Sequence, residues 1–396
     1  MLETDILVIG SGPAGSAAAL AGVRHGLRVV LVDSHVFPRD KACGDALIPD
    51  ALQALGDLGL RERVLSVSHR IDAVRIYAPG GRHTTLYGEC ACVLRAVFDD
   101  VLRSAAVDAG ATFVAPARAL VPLERNGIVV GARFACDGGS PPLEVAASTT
   151  ILATGAASDV LERFGMCVRT APSAAAARQY VQVDERAARD HDFLCVAYAA
   201  GVCPGYGWLF PGPGGVFNVG VGYAYDAPPR ERNIRRLLER FLTSFPPAIE
   251  LMRAAISVGP LKGAPLRMAM KGARLSRPGL LVVGEAAGLT YSFSGEGIGK
   301  ALQSGILAAN AATSAGEDPG MAAETYAAQL FSSFTHRFRA YARLQRLVAS
   351  PTIANALIWR ANSGTYVQRQ LEALLNEAGT GKELVTVPGM IRAVFT

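Results

Sequence analysis

No stretch of this chain approaches the roughly 20 consecutive apolar residues that a membrane span needs. The first residues also lack the basic segment, apolar core and cleavage site of a secretory leader, since their short apolar run reads as a strand. The expected location is therefore the cytoplasm. There are only seven cysteines (43, 90, 92, 136, 167, 195 and 203), odd in number and scattered, and in a reducing compartment they read as small buried hydrophobes. Cys90-x-Cys92 is too tight and too isolated for zinc, and none of the six histidines falls in a motif, so no metal site is expected. Charged residues make up only 18% of the chain, and a net charge of +5 is too mild to point to nucleic acid. No internal repeat is present.

What is present is apolar and glycine-punctuated. Half of the 396 residues are hydrophobic, and the length exceeds one simple core, so two interlocked domains are expected. Residues 5–10 (DILVIG) form an apolar strand after the first residue and run into Gly10-Ser11-Gly12-Pro13-Ala14-Gly15. An alanine-rich helix follows to about His25, then a second apolar strand, residues 28–32, ending in Asp33. In that context the G-x-G-x-x-G is a dinucleotide fingerprint. Gly10 makes the tight turn, and Gly12 lets a pyrophosphate lie on the backbone where Pro13 and Ala14 open the helix. Gly15 lets helix and strand pack closely, and Asp33 accepts the ribose hydroxyls.

A second cluster lies far downstream. Residues 280–283 read as a buried strand, followed by the turn Gly284-Glu285-Ala286-Ala287-Gly288, and Gly295 and Gly297 precede a helix from about Ile298. Small residues at a strand end admit a phosphorylated ligand, and the helix N-terminus favours negative charge. Between the clusters stand Arg95-Ala96-Val97-Phe98-Asp99-Asp100-Val101-Leu102, with apolar residues at helical spacing that place Arg95 at a helix start, and Ile151-Leu152-Ala153-Thr154-Gly155. Together these four motifs resemble the layout of FAD-binding two-domain flavoproteins. The resemblance implies FAD, with Arg95 reaching the cofactor and Thr154 and Gly155 passing its adenosine side. Glu285 and the 284–288 turn would meet the ribityl chain, and the helix from Ile298 would face the flavin pyrimidine ring.

The expected fold class is α/β: a Rossmann-like FAD domain (residues 1–70, 93–165 and 276–320) interleaved with an antiparallel-sheet substrate domain (71–92 and 166–275), then C-terminal helices (321–396). Residues 72–78 and 83–87 alternate around Pro79-Gly80-Gly81, a hairpin signal. Residues 180–184, 193–197, 208–211 and 216–222 read as short antiparallel strands, and the alanines of 171–177 read as local bias.

Three further segments narrow the resemblance. Pro38-Arg39-Asp40-Lys41-Ala42-Cys43-Gly44-Asp45-Ala46-Leu47 follows Asp33 closely and can run along the cofactor, and its K-x-C-G-D core is accompanied by Tyr206-Gly207-Trp208-Leu209-Phe210-Pro211 and Ser294-Gly295-Glu296-Gly297-Ile298. With these, residues 1–320 resemble the geranylgeranyl reductase family of the p-hydroxybenzoate hydroxylase fold group. Glu285 stands where most relatives have aspartate, and Thr154 where hydroxylases often have it. The resemblance implies that the Cys43 loop, with Gly44 and Asp45, lies beside the flavin and that Tyr206 and Trp208 line a substrate cavity. Cys43, Tyr206 and Trp208 are thus the candidate catalytic residues. Plainer readings stand beside these: Cys43 filling a turn, Tyr206 and Trp208 as core aromatics, and Asp45 capping the run that begins near Pro49.

Reduced flavin delivers hydride to an activated alkene or binds oxygen to hydroxylate or halogenate. The halogenase branch needs a lysine in an early strand and a W-x-W-x-I-P motif; residues 71–78 contain no lysine, and only Trp208 and Pro211 match. The favoured expectation is reduction of carbon–carbon double bonds in an isoprenoid or similar apolar substrate, with a monooxygenase or a quinone-linked dehydrogenase as alternatives. With no separate nicotinamide domain evident, the reductant would be external: NAD(P)H, a ferredoxin or a partner reductase. Phe331, Phe334, Phe338 and Tyr341 recur at helical spacing among arginines, either packed on the core or offering a peripheral membrane contact.

Overall fold

The computed structural model describes residues 2–379 apart from 137–140, 200, 227, 229, 271, 273, 293 and 317. Two sheets carry the fold. At the centre of the first is Leu2–Ile9, parallel to Val29–Val32 on one side and to Leu143–Leu152 on the other. Thr112–Val114 and Leu280–Val282 extend it in parallel at either flank. Its continuous apolar strands suit a sheet covered on both faces. The helix Pro13–Arg24 follows the first strand, and Ile298–Ala315 packs on it so closely that a Cβ at Gly305 would stand 2.2 Å from the Ala14 carbonyl oxygen. The hairpin of Ala117–Arg125 and Ile128–Cys136 joins this sheet antiparallel to Leu143–Leu152.

The second sheet runs in the order Ala255–Val258, Ala174–Val183, Val216–Ala224, Tyr206–Pro211, Leu194–Ala197, His69–Tyr77, His83–Cys92 and Ala46–Leu47. Its central strands alternate strictly. Phe217, Val219 and Val221 are fully buried on one face, against the helix Ile234–Ser244. Asn218, Gly220 and Gly222 stand on the other, opposite Phe210, Trp208 and Tyr206. The first sheet draws its strands from residues 2–32, 112–152 and 276–282, and the second from 46–47, 69–92 and 174–266. The α/β architecture with C-terminal helices is the expected one.

Several details differ from the sequence reading. Leu194–Ala197 pairs antiparallel with Tyr206–Pro211, as expected, but on its other edge it runs parallel to His69–Tyr77. The chain passes through the first sheet between them, so no tight turn forces the opposite direction. The alanines of the 171–177 run are in large part strand, Ala174–Val183, whose small side chains leave room at the cleft described below. Ala46–Leu47 pairs with Ala91–Cys92, which ties the end of the Cys43 loop to the second sheet.

The C-terminal region forms helices Pro319–Val348, Pro351–Ser363 and Thr365–Leu375; residues 380–396 lie outside the described residues. Phe334, Phe338 and Tyr341 are buried, and Tyr291 packs 4.6 Å from Phe338 and 4.3 Å from Tyr341. Of that aromatic stripe only Phe331 is exposed, so the stripe is a core contact and not a membrane face. Among the described residues no helix is long and apolar enough to cross a membrane.

Candidate active site

A cleft of about 630 Å³ lies between the two sheets and the C-terminal helices. Every residue expected at cofactor or substrate lines it except Gly15, Gly284 and Gly288, which sit behind its wall. The fingerprint glycines divide into two kinds. A Cβ at Gly10, where φ is +104°, would stand 2.4 Å from the Ala153 carbonyl oxygen, and one at Gly15 would stand 1.7 Å from the Gly10 carbonyl oxygen. Those two glycines are required by the protein's own packing. Gly12 is under no such constraint: its φ is −73°, and a Cβ there would meet only the Arg39 guanidinium, at 3.5 Å. The bare backbone leaves the helix N-terminus open to the cleft, as a pyrophosphate requires. Asp33 is held at the edge of this turn, its Oδ2 accepting from the Ser11 N–H (2.8 Å) and hydroxyl (3.1 Å) and its Oδ1 from the His35 N–H (2.9 Å).

Arg95 opens the helix Arg95–Asp108 and forks onto Asp99, Nε and Nη2 each 2.7 Å from a carboxylate oxygen, with both side chains buried. Arg39, which the sequence reading did not single out, bridges from the Gly12 turn to Asp99 at 3.2 Å. It supplies positive charge beside the expected pyrophosphate.

At the second glycine site Gly284 (φ +61°) and Gly288 (φ +73°) turn the chain, and the Gly284 N–H donates to the Ser304 hydroxyl at 2.9 Å. Glu285 accepts from Lys41 Nζ at 2.9 Å, so the Cys43 loop reaches across to it beside Gly155. Glu285 Oε1 and Thr154 Oγ1 are buried without protein partners. Such atoms are costly unless a ligand satisfies them, and the ribityl hydroxyls and heterocycle edges of FAD would do so. Gly297 caps the helix Ile298–Ala315, whose first turn faces the cleft. Bare backbone at Gly12, a carboxylate at Asp33, orphaned acceptors at 154 and 285 and a helix N-terminus at 298 together fit a flavin dinucleotide.

The opposite wall is aromatic. Tyr206, Trp208 and Phe210 alternate onto one face, with ring centroids 5.9 Å and 6.3 Å apart. Gly220 makes room for the indole, because a Cβ there would lie 2.2 Å from it. The Tyr206 hydroxyl donates to the Ser294 carbonyl at 3.0 Å and leaves no space for a side chain at Gly295, where a Cβ would be 2.1 Å away. Asn218 ties this wall to the Cys43 loop. Its Oδ1 accepts from the Trp208 indole (2.9 Å), and its Nδ2 donates to the Cys43 carbonyl (2.7 Å) and to Asp45 Oδ2 (2.8 Å). One polar residue inside the apolar run VFNVGVGYA was the available sequence signal for Asn218. Asp45 does not cap the helix Pro49–Asp57, which opens on Ile48 and Pro49.

Burial pushes the Asp45 carboxyl up to about 6, against hydrogen bonds from Tyr180 and Asn218 that favour the anion. The folded chain thus keeps this proton to a higher pH than the unfolded chain does. The stability it contributes is full below the ordinary aspartate range and is lost as pH rises from about 4 to about 6. Across that window the wild type is expected to lose on the order of 3 kcal/mol relative to Asp45→Asn. Denaturant titrations at several pH values check this, and identical pH slopes for the two proteins would refute it.

Beneath the Ser294–Gly297 loop lies a buried ionic group. Lys300, fully buried, stands 3.0 Å from Asp50 and 3.1 Å from Glu377, and Arg337 pairs with the same glutamate. It pins the end of the Thr365–Leu375 helix at the cleft. Glu296 accepts from the Gly299 N–H at 2.8 Å, and burial and Asp50 push its carboxyl up to about 8.

A family model described as an FAD binding domain matches residues 3–309. The menaquinone reductase of Mycolicibacterium smegmatis is 34% identical over 79% of this chain and 77% of its own. The digeranylgeranylglycerophospholipid reductase of Thermoplasma volcanium is 29% identical over 78% of each chain. Among solved structures, a geranylgeranyl bacteriochlorophyll reductase-like protein from Thermoplasma acidophilum superimposes with a TM-score of 0.79 at 23% identity, covering 100% of this chain and 96% of that one. A flavin-dependent brominase superimposes with a TM-score of 0.77 at 19% identity, over 99% and 98% of the two chains. At such identities the structures speak for the fold alone. The chain belongs to the FAD-binding flavoproteins and, within them, to the geranylgeranyl reductase-like oxidoreductases. It is an FAD-dependent enzyme.

Proposed function

We propose that this flavoprotein reduces carbon–carbon double bonds of an isoprenoid or similarly apolar substrate, with hydride supplied by reduced FAD. One observation carries the reading: past the aromatic row the cleft continues along an apolar wall that includes Val74, Ile76, Leu194, Val196, Leu371 and Leu375. That wall suits a hydrocarbon chain and offers little to a polar one. Relatives named as reductases of menaquinone and of digeranylgeranylglycerophospholipid support the same class. The halogenase alternative is weaker, since the strand His69–Tyr77 carries no lysine. The Cys43 loop, the Tyr206–Pro211 strand and the Ser294–Gly297 loop all line the cleft, and the N5 edge of the flavin would face the space they bound. The reductant is external, drawn from NAD(P)H, a ferredoxin or a partner reductase. A lipid-borne substrate is consistent with a cytoplasmic protein that touches membranes peripherally, and exposed Ile353 and Trp359 on the helix Pro351–Ser363 offer apolar contacts for it.

Dithionite-reduced enzyme, mixed anaerobically with geranylgeraniol or a menaquinone, should be reoxidised and yield a product with one side-chain double bond fewer, heavier by one H₂ even after air has returned any quinol to the quinone. In air it should reoxidise without a long-lived oxygen adduct. Hydroxylated or halogenated product formed in step with oxygen consumption would overturn the reading.

A further inference from the structure

We propose that Asp45 is the proton donor of this reduction, an assignment that rests on the reductase reading above. Asp45 lines the cleft between Cys43 and the aromatic wall and is only 3% exposed. Its two oxygens are treated differently. Oδ2 accepts from the Tyr180 hydroxyl at 2.7 Å and from Asn218 Nδ2 at 2.8 Å. Oδ1 is buried with no partner. Two donors aimed at Oδ2 leave no place for a proton there, so the acid carries it on Oδ1. A buried oxygen without a partner is costly as an anion, which favours that protonated form. The backbone is held in place as well: φ at Asp45 is +67°, a conformation uncommon for a side-chain-bearing residue, and its carbonyl accepts from the Val93 N–H at 3.1 Å.

The surroundings agree. Burial raises the Asp45 carboxyl to about 6, opposed by Tyr180 and Asn218 and then by Arg95 and Arg178. The titratable and charged groups facing it are Tyr180 and Arg178 on the strand Ala174–Val183, Arg95 on its helix, Cys92 on the strand His83–Cys92, and Cys43 on its own loop. Tyr206 gives its proton to the Ser294 carbonyl. Glu296 also lines the cleft, with one oxygen accepting from the Gly299 N–H and Oε2 bare, but it lies on the far loop over the Asp50–Lys300 pair, whereas Asp45 stands between Cys43 and the aromatic wall. An acid that titrates near neutrality is suited to proton transfer at physiological pH.

With reduced FAD held in the cleft, hydride would be supplied with its electron pair to one alkene carbon, leaving the cofactor oxidised by two electrons. The π pair would form the second C–H bond with the proton of Asp45 Oδ1, and Asp45, left as a carboxylate, would be reprotonated from solvent.

Asp45→Asn separates this role from a structural one. The amide oxygen can still accept from Tyr180 and Asn218, and asparagine tolerates the positive φ, but the amide has no acidic proton to give. The first readout needs no turnover. Trp208 is linked to Asp45 through Asn218, so in a Trp359→Phe background its emission should show a pH step centred near 6 that Asp45→Asn abolishes. No step in the background protein overturns the assignment. The second readout follows the loss of a side-chain double bond when dithionite-reduced, FAD-loaded protein is mixed anaerobically with geranylgeraniol or with a menaquinone. Asp45→Asn should slow it about a hundredfold or more and flatten its dependence on pH, with FAD content unchanged. An active wild type with an indifferent Asp45→Asn overturns the donor role alone. A wild type that leaves both alkenes intact overturns the reductase reading and the donor role with it.

Discussion

Gly12→Val protein is expected to purify folded and colourless, whereas the wild type is yellow and releases FAD on denaturation. The two other fingerprint glycines could not separate folding from binding in this way. A Cβ at Gly15 would run into the Gly10 carbonyl at 1.7 Å, so a side chain there disrupts the helix–strand contact itself. At Gly12 the backbone lies in the extended region that valine prefers, and the nearest obstacle is the movable Arg39 guanidinium at 3.5 Å. An isopropyl group at that point occupies the approach to the amides of the helix N-terminus, and the pyrophosphate loses its closest contacts. A loss of affinity of at least about a hundredfold is expected, from two or more charge-assisted hydrogen bonds. Flavin absorbance per chain and circular dichroism check the result together. Full FAD content in a folded Gly12→Val protein would mean that the pyrophosphate does not sit on this turn.

Trp208→Ala should do the reverse, lowering turnover by about a hundredfold while leaving FAD content within about twofold. The indole is only 5% exposed, stands in the aromatic row facing the cleft, and is fixed by its bond to Asn218 and by the space above Gly220. Removing it widens the cavity where the acceptor must be held against the flavin, and positioning supplies much of the rate. None of the fingerprint or 284–288 residues touches it in the hydrogen-bond network, so the cofactor should remain. A melting curve controls for the stability cost of a large-to-small change. Normal turnover by Trp208→Ala would move the chemistry away from this wall.

Local regularities made much of this protein legible before any coordinates. The fingerprint at Gly10–Gly15 works through the immediate strand–turn–helix geometry, so spacing along the chain reports it directly. The same holds for the 284–288 turn and the helix start at Ile298. Tyr206 and Trp208 were legible because residues two apart on a strand share a face. Arg39, Asn218 and Tyr180 were not, because each acquires its meaning from a partner far away in sequence. Asn218 stands 175 residues from Cys43 and 173 from Asp45.

By itself, then, the sequence determined that the chain builds a dinucleotide cradle from two distant glycine clusters, since backbone conformation and side-chain size are properties of short segments. The tertiary structure alone decided what faces that cradle. Only there does the 171–177 alanine run become a strand at the cleft, the aromatic stripe of residues 334–341 turn inward, and Leu194–Ala197 lie parallel to His69–Tyr77. Only there is Asp45 buried with one oxygen bonded twice and the other bare. Burial and the pairing of polar groups depend on which segments meet, and a carboxyl's readiness to hold a proton is set by those neighbours and not by its place in the chain.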